Sequence, residues 1–293
     1  MSRSSFLLVS IVGAIAALAV GWFAGQTTLL VGGYSSVFVF AVIALGIQWV
    51  AYVPAAQQKN ERFYDLVGAG TYGLIVIFAL AIAHGSDLLD TRRIVVSACV
   101  LAWAFRLGRY LFGRVHLVGK DGRFDHIKID PLHFLMVWTL QGLWVLLTLL
   151  PVMILITMER ADPPLGWVDF VGWSIWGMGF GIEIIADGQK AKFREGNTEG
   201  KWIDEGLWSR CQHPNYFGEI TLWFGLFVSG LHIYEGFEWL AVFSPIFVYV
   251  LLTRMSGVPM LQERGDARWG DDPAYRAYRK NTPLLLPLGK RAS

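Results

Sequence analysis

The segment GLWSRCQHPNYFGEI, residues 206–220, places several side chains that can bind ligands or transfer protons within an otherwise apolar region. Pro214 suits the first turn of a helix, where its missing N–H costs nothing. The amides of that turn and the helix dipole favour an anion such as a phosphate. Anchoring at a membrane interface accounts for Trp208 and Tyr216 alone, but not for the whole set. The polar side chains of the set are Arg210, His213, Asn215, Tyr216 and Glu219.

A second polar set lies in GIEIIADGQKAKFREGN, residues 181–197. Ionisable groups at the edge of a membrane usually face a cavity or a partner. One interpretation is a helix that leaves the bilayer with internal ion pairs. The other is a polar wall, in which cations hold phosphates and carboxylates hold hydroxyl or amide groups. The spacing i, i+4, i+7, i+11 puts four members on one helical face: Glu183, Asp187, Lys190 and Arg194.

A third set lies in QQKNERFYDLVGAGTYG, residues 57–73, and is the candidate for catalysis. Tyr64 and Asp65 stand at the start of an apolar segment, with Glu61 one turn earlier. A tyrosine hydroxyl polarised by a carboxylate can donate a hydrogen bond to a substrate carbonyl. We therefore predict Tyr64, with Asp65 or Glu61, as the catalytic donor pair. Ordinary surface charge is the alternative interpretation.

The elements that must position these sets are helices in a membrane. The 293-residue chain is 54% hydrophobic and 16% charged, whereas a soluble domain has about 25% charged residues. Its apolar residues form continuous blocks, which favours an all-α, polytopic membrane bundle over a barrel. The last two blocks are short, so we expect seven or eight transmembrane helices. The blocks are 6–25, 36–56, 66–84, 93–112, 132–157, 166–186, 217–232 and 238–254.

The Lys and Arg residues predict the orientation. The loops 113–131 and 187–216 and the tail from Arg254 are rich in these residues, whereas the loops 26–35 and 233–237 contain none. With eight spans, all the rich segments fall on one side, which we expect to be the cytoplasmic side of a bacterial inner membrane. We expect a monomer, no nucleic-acid partner and no metal, since the two cysteines form no metal motif.

Three segments resemble the C-terminal half of the steroid 5-alpha-reductase family, in its bacterial branch. They are ADGQKAKFREGN, GLWSRCQHPNYFGEI and GVPMLQERGDARWGDDPAYRAYRKNTPLLLPL. The R-x-x-H-P-N-Y-x-G-E pattern is similar to that of sterol reductases, and a looser version occurs in isoprenylcysteine carboxyl methyltransferases. The resemblance implies NADPH as cofactor, held at the cytoplasmic side. The residues it implies for cofactor binding are Asp187, Lys190, Arg194, Asn197, Trp208, Arg210, His213, Asn215, Tyr216, Glu219, Glu263 and Tyr278.

The resemblance also implies a reaction. A hydride would reach C5 of a 3-oxo-Δ4-steroid, or the equivalent carbon of another lipophilic enone, while a donor pair polarises the ketone. The substrate would come from membrane lipid. The chain would then be one membrane domain, 1–293, with spans of 1–130 on the substrate side and NADPH-binding elements in 131–293. The N-terminal half departs from the family pattern, because Trp103 stands where animal members carry a tyrosine.

Two other functions stay open at this point. One is a membrane methyltransferase that uses S-adenosylmethionine, since the R-x-x-H-P-x-Y region is shared in loose form. Lys190 and Arg194 speak against it, because S-adenosylmethionine is a cation and carries no phosphate. The other is a membrane protein that binds lipid or sterol without catalysis, which would leave the two polar clusters unexplained.

Overall fold

The computed structural model describes residues 2–118, 124–160, 163–196 and 200–287, with the backbone alone at 110–118. Within these residues the chain is almost wholly helical, because apolar blocks must satisfy their backbone hydrogen bonds internally. A short hairpin of β1 (Leu30–Val31) and β2 (Tyr34–Ser35) joins the first two helices. The helices are α1 (Arg3–Ala24), α2 (Ser36–Gln58), α3 (Tyr64–Gly85), α4 (Thr91–Val118), α5 (Pro131–Thr157), α6 (Trp167–Gly196), α7 (Pro214–Val228), α8 (Phe243–Val250), α9 (Val258–Trp269) and α10 (Pro273–Asn281).

The prediction of an all-α, polytopic membrane protein is confirmed. Six helical segments among the described residues are long and apolar enough to cross a membrane: α1, α2, α3, α5, α6 and the continuous stretch Gly236–Trp269. All eight apolar blocks of the sequence lie in helical segments. Two of them fall outside the six, which is why the expected seven or eight spans exceed that number. Helix α7 has only 15 residues, and α4 carries several arginines.

The chain forms two compact units. The first unit comprises Met1–Gly166 and Gly230–Ser244, and the second comprises Trp167–Ser229 and Pro245–Ser293. The boundaries between the units therefore follow Gly166, Ser229 and Ser244. The assignment of 1–130 to substrate and 131–293 to cofactor stays a prediction.

Helix α5 is the core of the first unit. It packs against α1, α2 and α3, and every residue from Thr148 to Thr157 is buried. A helix that is buried on all sides has a continuously apolar sequence, and this segment has one. Its start is fixed by Pro131 in the first turn and by Asp130, whose carboxylate accepts from the amides of Leu132 and His133.

Two arginines hold the first unit together near the C-terminal end of α5. Arg93, 2% exposed, donates to the carbonyls of Leu155 and Met158 at 3.3 and 3.1 Å. The last carbonyls of a helix have no partner within it, so the Arg93 guanidinium stabilises a helix end that would otherwise be unsatisfied. Arg160, which follows this helix end, forms an ion pair with the buried carboxylate of Glu238 at 2.6 Å. Arg93 and Arg160 therefore have a structural role that the distribution of charge along the sequence does not reveal.

The second unit rests on a close contact between α6 and α7. Gly172 and Gly179 on α6 face Gly225 and Gly218 on α7, with backbone against backbone. A Cβ atom at Gly179 would lie 2.5 Å from the amide nitrogen of Leu222, so only glycine allows this approach. The contact brings the ends of the two polar sets together.

We expect Gly179→Ala to lower the thermal stability of the purified protein in detergent by roughly 1–3 kcal/mol, because the added methyl group forces α6 and α7 apart. Gly181→Ala is the matched control on the same helix, since no described neighbour lies within 4 Å of a Cβ atom there. The control should keep or raise the unfolding midpoint, since alanine is the better helix former. Equal midpoints for both variants would contradict this account of the contact.

Candidate functional site

A cationic cavity of about 430 Å³ lies in the second unit. It is formed by the end of α6, the segment 200–213, α9 and α10. No carboxylate is found among the described side chains that line it. Six positive groups around one space repel one another unless an anion is near, so the cavity suits a ligand with several negative charges. The cations are Lys190, Arg194, Lys201, Arg264, Arg268 and Arg279.

The helices place these cations by simple spacing. Lys190 and Arg194 are one turn apart at the end of α6, and Arg264 and Arg268 are one turn apart on α9. Each pair therefore shares a helical face. Helix α10 begins at Pro273 and is capped by the carboxylate of Asp272, which accepts from the amide of Ala274 at 2.8 Å.

Aromatic rings form much of the remaining wall. Trp202 lies against Tyr275 at 5.1 Å and Trp269 at 6.2 Å between ring centroids. Cations lie over three rings: Lys190 over Trp208 at 4.8 Å, Arg268 over Trp269 at 5.0 Å and Arg279 over Tyr275 at 5.9 Å. Such contacts are favourable and hold the cations in place without neutralising them. Flat rings beside cations suit a ligand that combines phosphates with aromatic bases.

Two contacts dock the segment 200–213 on α6. The indole N–H of Trp208 donates to the carbonyl of Ala186 at 3.0 Å, and the amide of Leu207 donates to the Gln189 side chain at 2.9 Å. Trp208, Ala186 and Ile203 form a small buried cluster. The wall between α6 and α10 is therefore fixed to α6 by packing as well as hydrogen bonds.

The chain after α10, residues 282–287, acts as a strap across the HPNY segment. The amides of Gln212 and His213 donate to the carbonyls of Pro283 and Leu284 at 2.8 and 3.2 Å. The Gln212 side chain donates to the carbonyls of Arg279 and Thr282. These bonds fix α10 against the start of α7, so the tail is part of the site. They also occupy the backbone amide of His213 at the start of α7.

The imidazole of His213 is buried in the cavity wall, where it has no hydrogen-bond partner among the described residues. Its side chain is 7% exposed, its ring stacks on Tyr216 at 5.3 Å, and neither ring nitrogen has a partner among the described residues. Burial, with the charges of Lys190 and Arg279, lowers the pKa of His213 to about 3. The imidazole is therefore neutral, and its two nitrogens are polar groups that a ligand can satisfy.

The cavity brings together five of the residues that the resemblance implies for cofactor binding: Lys190, Arg194, Trp208, His213 and Tyr278. Six others lie outside its lining. Asp187 accepts from the Asn215 side chain at 3.2 Å, and Tyr216 stacks on His213. Glu219 is half-buried on α7, and Arg210 and Glu263 are exposed. Asn197 lies outside the described residues. The role of each residue in cofactor binding stays a prediction.

Sequence reasoning missed several residues of the cavity wall. From sequence alone, the cations of the tail indicate only membrane orientation. The helical spacing of Arg264 and Arg268, followed directly by Trp269, was the available signal. The cavity residues that the sequence analysis does not predict are Lys201, Trp202, Gln212, Arg264, Arg268, Trp269, Tyr275 and Arg279.

The predicted catalytic residues lie in the first unit. Tyr64 begins α3, where its ring packs between Phe124 and Trp138 and its hydroxyl donates to the carbonyl of Val137 at 3.1 Å. The buried carboxylate of Glu61 forms an ion pair with Lys128 at 2.7 Å. Asp65 is half-buried in the first turn of α3, where the helix dipole favours an acid. Tyr64 and Glu61 thus each have a partner of their own.

The fold and the cavity define a helical integral membrane protein with a cationic cavity. Residues 51–282 match the family described as "Protein of unknown function (DUF1295)", and the chain belongs to this family of steroid 5-alpha-reductase-like membrane proteins. A stretch of 66 residues is 39% identical to the Delta(14)-sterol reductase of Saccharomyces cerevisiae. That stretch covers 19% of this chain and 15% of the yeast protein. No solved structure matches the chain.

The lowered pKa of His213 predicts a pH dependence of stability. A group whose pKa is lower in the folded state favours folding above its unfolded value of 6.5, and this contribution is lost as the pH falls towards 3. Near pH 5 the loss is roughly 2 kcal/mol, at about 1.4 kcal/mol per pH unit. Thermal unfolding in detergent at neutral and acidic pH measures it. His213→Gln should lose less stability on acidification than the wild type; an equal loss would contradict the assignment.

Proposed function

We propose that this protein is an NADPH-dependent reductase of the Δ4 double bond of 3-oxo-steroids or of a similar lipophilic enone. Membership in a family of reductase-like membrane proteins supports the reaction class. The stretch in common with a sterol reductase supports a flat polycyclic substrate. Such a substrate reaches the protein from membrane lipid. The protein acts as a monomer in a bacterial inner membrane, with its basic cavity on the cytoplasmic side, as the distribution of Lys and Arg favours.

The observation that carries the proposal is the cavity with six cations and no carboxylate among its described lining residues. NADPH brings a pyrophosphate and a further phosphate monoester, and these supply the negative charge that the cavity is suited to hold. S-adenosylmethionine is a cation, so the same cavity repels it. The charge of the site therefore supports a reductase over the methyltransferase with which the HPNY pattern is shared.

The residues of the cavity fit the parts of this cofactor. Arg194, Arg264 and Arg268 can grip phosphate oxygens through two N–H groups each. Lys190 and Lys201 supply further positive charge. The indole and phenol rings of Trp202, Trp269 and Tyr275 offer flat apolar surface to a base. The unpartnered nitrogens of His213 offer hydrogen bonds where no described protein group does.

The reaction needs a hydride at C5 and a proton at C4 of the steroid. NADPH, when bound, supplies the hydride and is oxidised to NADP⁺. Tyr64, with Asp65 or Glu61, hydrogen-bonds the ketone oxygen, which gains negative charge as the hydride arrives. The proton that completes the product is then added at C4. Tyr64 suits this role because its ring is already held between Phe124 and Trp138.

Loss of an arginine from the cavity should weaken NADPH binding. We expect Arg264→Gln and Arg268→Gln each to lower the affinity about tenfold or more, because a charged hydrogen bond contributes about 1.5–3 kcal/mol. Arg276→Gln is the matched control, since Arg276 is exposed on α10 and does not line the cavity. Calorimetry on the purified protein measures the affinities. Binding of S-adenosylmethionine in place of NADPH would overturn the proposal.

Loss of the Tyr64 hydroxyl should slow turnover more than it weakens cofactor binding. We expect Tyr64→Phe to lower kcat with NADPH and progesterone about a hundredfold, because donor groups of this kind contribute about that much. Tyr52→Phe is the matched control, since the Tyr52 hydroxyl also donates to a backbone carbonyl of α5, that of Pro131 at 3.1 Å. The loss of enone absorbance, with product analysis, gives the rates. Full turnover in both Tyr64→Phe and Asp65→Asn would refute the assignment.

A further inference from the structure

His213 combines three properties that no other described residue of the cavity shares. It lines the cavity, its side chain is more than nine-tenths buried, and both of its ring nitrogens lack a partner among the described residues. A neutral imidazole has one donor and one acceptor nitrogen. Leaving both nitrogens without a hydrogen bond costs free energy, and a ligand that hydrogen-bonds to them recovers it.

The groups around His213 that can carry charge belong to three elements. Lys190 faces it from α6, and Arg279 and Tyr278 face it from α10. Tyr216 and Cys211 belong to its own segment. Burial raises the pKa of Cys211 to about 11 and that of Tyr278 well above its usual value. Lysine and arginine stay charged in this range, so His213 is the group that can change charge near neutral pH.

We propose that His213 is a phosphate-binding residue that takes up a proton from solvent when a phosphate-bearing ligand fills the cavity. The inference rests on the proposed NADPH site and adds a regulation to it. Phosphate oxygens far from their own pKa only accept hydrogen bonds, so a neutral imidazole can face them with one nitrogen at most. The protonated ring donates from both nitrogens. The new N–H bond is the only covalent change.

The charges around His213 also favour its protonation when the ligand binds. In the free protein, Lys190 and Arg279 disfavour a third positive charge on His213. A polyanion offsets those charges and adds attraction for the protonated ring, so the pKa of His213 is higher in the complex than in the free protein. By linkage, affinity for the ligand is greatest below the pKa of the complex and falls as the pH rises through it. The cavity therefore binds phosphate more tightly at acidic pH.

Buried stacking on Tyr216 is the competing explanation of His213, and proton uptake distinguishes the two. A residue that only packs gives no proton exchange with the ligand. His213 is the one histidine in residues 167–229 and 245–293. A proton taken up near pH 6.5, the ordinary pKa of histidine, can therefore be assigned to it by a single substitution.

The test is calorimetry of NADPH binding to the purified full chain near pH 6.5, repeated in two buffers of different ionisation enthalpy. The slope of the observed enthalpy against that of the buffer counts the protons exchanged. The wild type should take up more protons than His213→Gln, by up to one proton. The ligand phosphate contributes equally to both and cancels. His133→Gln, which removes a histidine stacked on Phe6 in the first unit, should keep the wild-type slope.

Equal slopes in the wild type and His213→Gln, with NADPH bound by both, would refute the inference and leave the proposed function intact. His213→Phe keeps an aromatic ring against Tyr216 and replaces the Gln variant if that variant does not fold. Inorganic pyrophosphate is the second probe. If it binds with His213-dependent proton uptake and NADPH does not bind, the inference stands and the proposed cofactor is wrong. If neither ligand binds, both proposals fail.

Discussion

The charge of the cavity is the constraint on which the second unit depends. Six cationic side chains converge on one space, where Arg279 forms an ion pair with Asp266. Like charges so close together repel one another, and the scaffold around them opposes this repulsion. The glycine contact between α6 and α7, the strap over Gln212 and the rings beneath Lys190 and Arg268 all resist the separation that this charge favours. In the proposed function, this scaffold holds the cations in place before the ligand arrives, which lowers the reorganisation that binding requires.

In the first unit, two arginines have hydrogen-bond acceptors or a carboxylate within the protein. The buried Arg93 is engaged by carbonyls at the end of α5, and the partly exposed Arg160 by the buried carboxylate of Glu238. Buried charge is tolerated only where it is paired or hydrogen-bonded, and here it is. The same residue type therefore stabilises a helix end in one unit and lines a cationic cavity in the other.

The sequence predicts the helical membrane class well, because a bilayer forces long apolar runs into helices. It also predicts that Lys190 and Arg194 share the polar face of one helix, because this follows from their spacing alone. The α9 arginines were missed because basic tails are also what membrane orientation favours, so charge alone did not reveal a second role for them. The strap could not be predicted from the sequence for another reason. Gln212 and Pro283 are distant in the chain, and no local sequence pattern indicates the hydrogen bond between them. Hydropathy also does not show that α7 stops after 15 residues, so this block is absent from the six long apolar segments of the described residues.

The HPNY segment and the α9 arginines have separable functions. The segment is held by the strap and presents His213 and Trp208, a polar and an aromatic group that could serve ligands of either charge. This explains how a loose form of the pattern can also occur in methyltransferases. Arg264 and Arg268 come from a different helix and add to the positive charge of the cavity. In the proposed function, the class of cofactor depends on the total charge of the cavity more than on the motif, because a charged ligand responds to the total field and not to a single shared segment.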